Sequence, residues 1–328
     1  MKALVYTGTE QMAFRDETDP APRAGEVLVR IASSGICGSD MHAYLGHDER
    51  RPAPLILGHE AAGSIVAGPR TGERVVINPL VTCGECEACR CGRNNLCPTR
   101  QIISMPPRPG AFAEYVAMPE QNLVSVPAAV SDDKAALAEP IACGWHAVRL
   151  ARKVLHPAME EARCLVIGGG AIGVGAALVL AAHKAGHIIV LEPNEARRKV
   201  VSGIGPFEVL ASADGLPASF DLVVEAVGYA PTRQLASRLA KPGGVIVHIG
   251  LGEAEGGLDI RRMTLQEVTF IGTYTYTPAD FRDTAQAIFD GQLGALDWMD
   301  IRPLSDGLQA FRDIRSGQAA APKIILKP

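Results

Sequence analysis

The chain has 328 residues, of which 47% are hydrophobic and 21% charged, with a formal net charge of −4. This length and composition suit two ordinary globular domains and exclude a disordered or fibrous chain. The mildly acidic balance, without runs of like charge, gives no electrostatic footprint for nucleic acid. No apolar stretch reaches the roughly 18 residues of a membrane span.

In chain order, Met1-Lys2-Ala3-Leu4-Val5-Tyr6 reads as a first strand and lacks the long apolar region of a signal peptide. A cytoplasmic location is therefore expected, with the eight cysteines reduced. Up to about residue 145, short β-type runs such as Glu26–Ile31 and Glu73–Ile77 alternate with Gly- and Pro-rich turns, predicting a mostly-β domain with long loops. From about 146 to 275 the pattern becomes strand, helix, strand. Apolar runs occur at 163–167, 188–191, 221–226, 245–249 and 269–271, and a small-residue helical stretch spans 171–185. Such alternation predicts an α/β domain, a doubly wound parallel sheet covered on both faces. In the tail, one helical stretch is expected at 278–290, and Lys323-Ile324-Ile325-Leu326 reads as a strand able to rejoin the first domain. The expected domains are thus 1–145 with 276–328, and 146–275.

Cys83, Cys86, Cys89 and Cys97 have the spacing C-x2-C-x2-C-x7-C, with Gly84 and Gly92 easing the turns. Four thiolates on one short loop can enclose a tetrahedral Zn²⁺ with no open position, so the expected metal is structural. Free thiols or a redox pair are the alternatives, and Cys91 is a spare ligand inside the lobe.

Gly168-Gly169-Gly170-Ala171-Ile172-Gly173 fits G-x-G-x-x-G between an apolar strand and a helical run, the context a dinucleotide requires. Gly168 permits the turn, Gly170 lets backbone approach a pyrophosphate, Gly173 allows close helix–strand packing, and Ile172 lies in the same turn. Glu192, nineteen positions past Gly173, is placed to accept hydrogen bonds from a ribose 2′-hydroxyl, favouring NAD. Arg197 and Arg198 are the residues that would instead suit a 2′-phosphate, or else form a solvated helix face.

Two further segments, Gly35-Ile36-Cys37-Gly38-Ser39-Asp40-Met41-His42 and Gly58-His59-Glu60, set metal-ligand types beside glycine. With the cysteine lobe, Gly110-Ala111-Phe112-Ala113-Glu114-Tyr115, the Glu139–His146 segment and the glycine turn, they resemble the zinc-containing medium-chain alcohol dehydrogenases over essentially the whole chain. Glu139-Pro140 is similar to the sorbitol, idonate and related polyol branch. The resemblance implies a GroES-like catalytic domain joined to a Rossmann cofactor domain. It implies two zinc ions per chain, the catalytic one on Cys37, His59 and Glu60, with Glu139 bound directly or through water. Asp40 is expected to orient His59, and Ser39 and His42 to carry the proton away as a secondary alcohol gives hydride to NAD. Cys143 is expected near the nicotinamide or as an inert thiol, and His146 near the cofactor or in packing.

The expected substrate is a small-molecule polyol, sugar or sugar-acid hydroxyl, and a homodimer or homotetramer is implied. Ala43 departs from the polyol pattern, where an aromatic residue is usual. The competing readings are an L-threonine-type amino-alcohol dehydrogenase, a zinc-free quinone reductase, and a zinc-ribbon nucleic-acid module. Against the last, Glu85 and Glu87 offset Arg90, Arg93 and Arg100 around the cysteines.

Overall fold

The computed structural model describes residues 1–328, and the chain divides into two compact units. The first comprises Met1–Glu139, Thr277–Asp290 and Met299–Pro328, and the second Pro140–Tyr276 and Gly291–Trp298.

The first unit is built on a seven-stranded sheet. Its order is Leu123–Ser125, Arg74–Ile77, Glu60–Ile65, Glu26–Gly35, Lys323–Lys327 and Met299–Pro303, and Tyr115–Pro119 also pairs with the Glu26–Gly35 strand. Val27, Val29 and Ile31 alternate inward and meet Ile65, Val75, Ile77, Val116 and Met118, as the two-residue period of a strand requires. A second core gathers Leu4, Tyr6, Tyr44, Phe112 and Phe311, with the Phe311 ring 5.1 Å from Tyr44 and 6.1 Å from Phe112. Register places Gly35, the last residue of its strand, opposite Glu60, the first of the next, and opposite Ile325 on the other side.

The tail holds more than sequence reasoning found. The helix Pro278–Phe289 forms where expected, capped by Thr277, whose hydroxyl accepts the Asp280 N–H while Asp280 accepts the Thr277 N–H. A second helix, Gly307–Arg315, buries Ala310 and Phe311 against the second core. It opens on a glycine and has only nine residues, but Ala310 and Phe311, with Leu308 and Ile314 packed beside them, give it an amphipathic period that sequence reasoning passed over.

The second unit carries a six-stranded, wholly parallel sheet. Its order is Glu208–Leu210, His187–Leu191, Arg163–Ile167, Phe220–Glu225, Ala240–His248 and Thr269–Gly272. Numbered along the chain that order is 3-2-1-4-5-6, two mononucleotide-binding halves meeting between the first and fourth strands. The helix Ala171–Ala182 is apolar on nearly every side because it is packed on nearly every side. A Cβ at Gly144, in the helix Ala138–Ala151, would sit 2.7 Å from Ala176 N, and one at Gly175 would sit 3.1 Å from Ile141 Cα, so glycine sets the closeness of these two helices. No helix is long and apolar enough to cross a membrane.

Candidate active site

The ligand atoms of Cys37, His59 and Glu60 all lie within 4.8 Å of one another. Cys37 follows the Glu26–Gly35 strand and caps the helix Gly38–Tyr44. Asp40, fully buried, accepts the Cys37 N–H (3.0 Å) and the Gly58 N–H (3.3 Å) and lies 3.4 Å from His59 Nδ1. One carboxylate thus ties both ligand-bearing segments. With Nδ1 facing Asp40 and the Ser104 hydroxyl, also at 3.4 Å, His59 has Nε2 left for a metal. Burial pushes the Asp40 carboxyl up, but the His59 ring, the Arg51 charge and the Cys37 N–H together outweigh this and hold it below the usual range. Burial likewise pushes His59 down, and Asp40 and Cys37 lift it well above 6.5, so metal entering this site must displace a proton.

Glu60 is fully buried, and its room is made by Gly35, where a Cβ would stand 2.1 Å from Glu60 Oε2. Lys323, itself buried, donates to Glu60 Oε1 and to the Ile36 carbonyl, both at 2.7 Å. Its Nζ also lies 2.6 Å from Oε2, so one ammonium faces both carboxylate oxygens. Burial pulls the Lys323 ammonium down, and the charges of Glu60, Cys37 and Glu139 more than restore it. A thiolate, an imidazole nitrogen and a carboxylate form a donor set that suits zinc. Glu139 is buried and its charge is felt by Lys323, but it stands outside the trio.

Lys323 carries no motif, although it heads an apolar strand where an ammonium has no other reason to be. Lys323→Met leaves the Glu60 carboxylate buried without its counter-charge. With chelator present for both proteins, urea denaturation should show a loss of about 3–5 kcal/mol.

Ser39 and His42, three residues apart, share one face of the Gly38–Tyr44 helix. Burial, with His47 and Arg51 adding to it, holds the His42 imidazole below 6.5, so it is mostly neutral near pH 7 and able to accept a proton. Arg51, 2% exposed, was not found from sequence. Its guanidinium donates to the Ser39 carbonyl (3.2 Å), the Ser39 hydroxyl (3.4 Å), the Ser104 carbonyl (3.0 Å) and Asp48 (2.8 Å). An arginine can only donate, so it holds a Ser39 lone pair and leaves the O–H to donate elsewhere.

The sulfurs of Cys83, Cys86, Cys89 and Cys97 also lie within 4.8 Å of one another, with Cys83–Cys97 at 3.5 Å and Cys83–Cys89 at 3.9 Å. Gly84 and Gly92 take φ of +77° and +71°, the left-handed turns that fold the lobe back on itself. Burial raises the Cys97 thiol, but the Cys83 backbone and Thr99 bring it down to about 6, toward the thiolate a metal needs. Cys91, exposed at the end of the short helix Glu87–Arg90, stands outside the quartet.

In the second unit, Gly168 has φ +105°, and a Cβ at Gly173 would fall 1.8 Å from the Gly168 carbonyl oxygen. Only glycine permits that strand-to-helix turn. A Cβ at Gly170, which caps the Ala171–Ala182 helix, would meet nothing within 4 Å, so the turn is open there to an approaching phosphate. Ile172, the second residue of that helix, is half-buried. Glu192 is buried, accepting the Gly169 N–H (3.1 Å) on one oxygen and the Asn194 N–H (2.8 Å) on the other. Arg197 Nη1 is 3.8 Å from Glu192, and Arg198 donates to the carbonyls of Glu192 and Pro193. His146 is buried, with Nδ1 3.0 Å from Arg149, and Cys143 is half-buried on the same helix.

Residues 23–128 match the alcohol dehydrogenase GroES-like domain, and residues 171–290 match the zinc-binding dehydrogenase domain. The L-galactonate-5-dehydrogenase of Escherichia coli (strain K12) is 30% identical over 90% of this chain and 89% of its own. The sorbitol dehydrogenase of Bacillus subtilis (strain 168) is 31% identical over 94% and 93%. The chain belongs to the zinc-binding alcohol dehydrogenase family. An alcohol dehydrogenase from Escherichia coli CFT073, complexed with NADH, superposes on the whole of this dehydrogenase and on 99% of its own chain, with a TM-score of 0.89 at 26% identity. This dehydrogenase therefore combines the GroES-like and Rossmann folds that its motifs imply, and the zinc-free reductase and nucleic-acid readings fall away.

Proposed function

We propose that this dehydrogenase oxidises a secondary alcohol of a polyol, sugar or sugar acid to the ketone, passing hydride to NAD. The observation that carries the reading is the Cys37–His59–Glu60 trio in a chain that also bears an open glycine turn at a helix N-terminus. The named activities of its relatives, on L-galactonate and sorbitol, support the substrate class.

Zinc held by Cys37, His59 and Glu60, with Glu139 as a further carboxylate, would supply Lewis acidity toward the substrate hydroxyl. Asp40 fixes the His59 ring. Ser39 accepts the proton leaving the substrate while donating its own O–H onward, and neutral His42 is its destination. The second metal site, on Cys83, Cys86, Cys89 and Cys97, is closed and structural.

Glu192 supports NAD over NADP, because a buried carboxylate at the ribose position repels a 2′-phosphate, and Arg197 already faces that carboxylate. Gly168, Gly170, Ile172 and Gly173 form the pyrophosphate turn. Glu192→Gln keeps the acceptor for Gly169 and removes the charge, so it should narrow the NAD preference by about tenfold, near 1.4 kcal/mol. Initial rates with NAD and NADP across polyols, sugar acids and threonine test cofactor and substrate together. Turnover of threonine alone, or equal use of NADP by the unaltered enzyme, would contradict the reading.

A cytoplasmic homodimer or homotetramer is part of the same proposal. The Thr269–Gly272 strand is an unpaired sheet edge, and Phe270 on it and Leu251, Ile260 and Leu265 are exposed apolar side chains of the same unit.

A further inference from the structure

Glu225 ends the fourth strand of the parallel sheet, fully buried, and takes no part in the chemistry so far described. Burying a carboxylate is costly unless its oxygens are satisfied, so what satisfies them shows what it is for. Oε1 accepts the N–H groups of Val227 (3.0 Å) and Gly228 (2.8 Å). Oε2 lies 2.5 Å from Nδ1 of His248, the residue opposite it on the fifth strand. The Glu225 carbonyl accepts the N–H groups of Ile249 (2.9 Å) and Gly250 (3.2 Å). One residue therefore fixes the turns that follow two strands.

Those turns abut the dinucleotide turn and each other. A Cβ at Gly168 would meet Val227 Cγ2 at 2.6 Å, and the Ala226 N–H donates to the Ile167 carbonyl at 3.1 Å. Gly228, at φ +90°, and Gly250 touch backbone to backbone, since a Cβ at Gly250 would stand 2.2 Å from Gly228 N. The His248 ring is backed by Phe270, 5.6 Å away. In a doubly wound sheet a dinucleotide crosses the carboxyl ends of the strands where the order reverses, between strands one and four. The 226–228 and 249–250 turns belong to the half beyond the pyrophosphate.

We propose that Glu225, steadied by His248, is a positioning residue that shapes the 226–228 and 249–250 turns for the second mononucleotide half of the cofactor. It touches no cofactor atom itself; it acts through the turn it pins. The inference rests on the nicotinamide-dinucleotide reading of the glycine turn.

The test is NADH binding, followed by fluorescence titration without substrate, alongside KM for NAD, kcat at saturating NAD, bound zinc and thermal midpoint. Glu225→Ala should weaken NADH binding tenfold or more and raise KM for NAD in step. Saturated kcat should fall by less than the rise in KM for NAD, with zinc still at two per chain. Glu225→Gln keeps an acceptor for both turn amides and should recover NADH affinity to within threefold. His248→Gln, at a partly exposed position, gives the milder variant should Glu225→Ala fold poorly, and should weaken NADH binding between threefold and tenfold. A lowered midpoint with unchanged NADH affinity in the folded fraction of either variant would overturn the inference. Failure of the unaltered chain to bind NADH would contradict the dinucleotide reading itself.

Discussion

Cys37→Ser and His59→Ala should each abolish alcohol turnover while NADH binding stays within about threefold of the unaltered enzyme. The loss should reach about 1000-fold or more, because a bound zinc strongly lowers the pKa of a coordinated water or hydroxyl and no other group of the trio replaces that. Serine keeps the size of cysteine and the Cys37 N–H bond to Asp40, so Cys37→Ser changes the donor atom and little else. His59→Ala also deprives the buried Asp40 of its neighbour, so it should destabilise the chain as well. NADH binding survives because the glycine turn belongs to the other compact unit. Zinc measured by mass spectrometry should fall from two per chain to one. Full activity with one zinc would remove Cys37 and His59 from the chemistry.

The second large effect is expected at the cysteine lobe. Cys97 is fully buried and its sulfur lies 3.5 Å from that of Cys83. The lobe's own secondary structure is a four-residue helix and a three-residue 3-10 turn, neither able to hold a fold unaided. Leu96, the large apolar side chain next to Cys97, is 41% exposed and adds little burial to the lobe. Metal is what closes it. Structural zinc in isolated finger peptides binds with about 10–16 kcal/mol, and Cys97→Ser should cost this protein about 4 kcal/mol or more. Guanidinium unfolding with parallel zinc analysis reads this. An unchanged unfolding midpoint with one zinc lost would show that the lobe stands without its metal.

How much of this was legible in the sequence depends on distance along the chain. The glycine turn, the cysteine lobe and the Cys37–Asp40 segment are local, and their spacing alone points to their chemistry. Four of the five apolar runs announced themselves because strands buried on both faces must be continuously apolar, whereas the 269–271 run is an exposed edge and the short edge strand Glu208–Leu210 gave no apolar run. Sequence reasoning missed what folding brings from afar. Lys323 reaches Glu60 across 263 positions, and Arg51 reaches the Ser104 carbonyl across 53. Glu225 and His248 meet because adjacent parallel strands align them, a register no local pattern states. Each is a charged or titratable residue with low exposure. A lysine heading an apolar run and a glutamate closing one were the visible hints.

The most direct test of the central claim is anomalous diffraction at the zinc edge from a zinc-loaded, catalytically active crystal. Two peaks per chain are expected, one enclosed by Cys83, Cys86, Cys89 and Cys97 and one bounded by Cys37 Sγ, His59 Nε2 and Glu60. An active crystal with zinc only among the four cysteines, and no metal between Cys37 and His59, would contradict it.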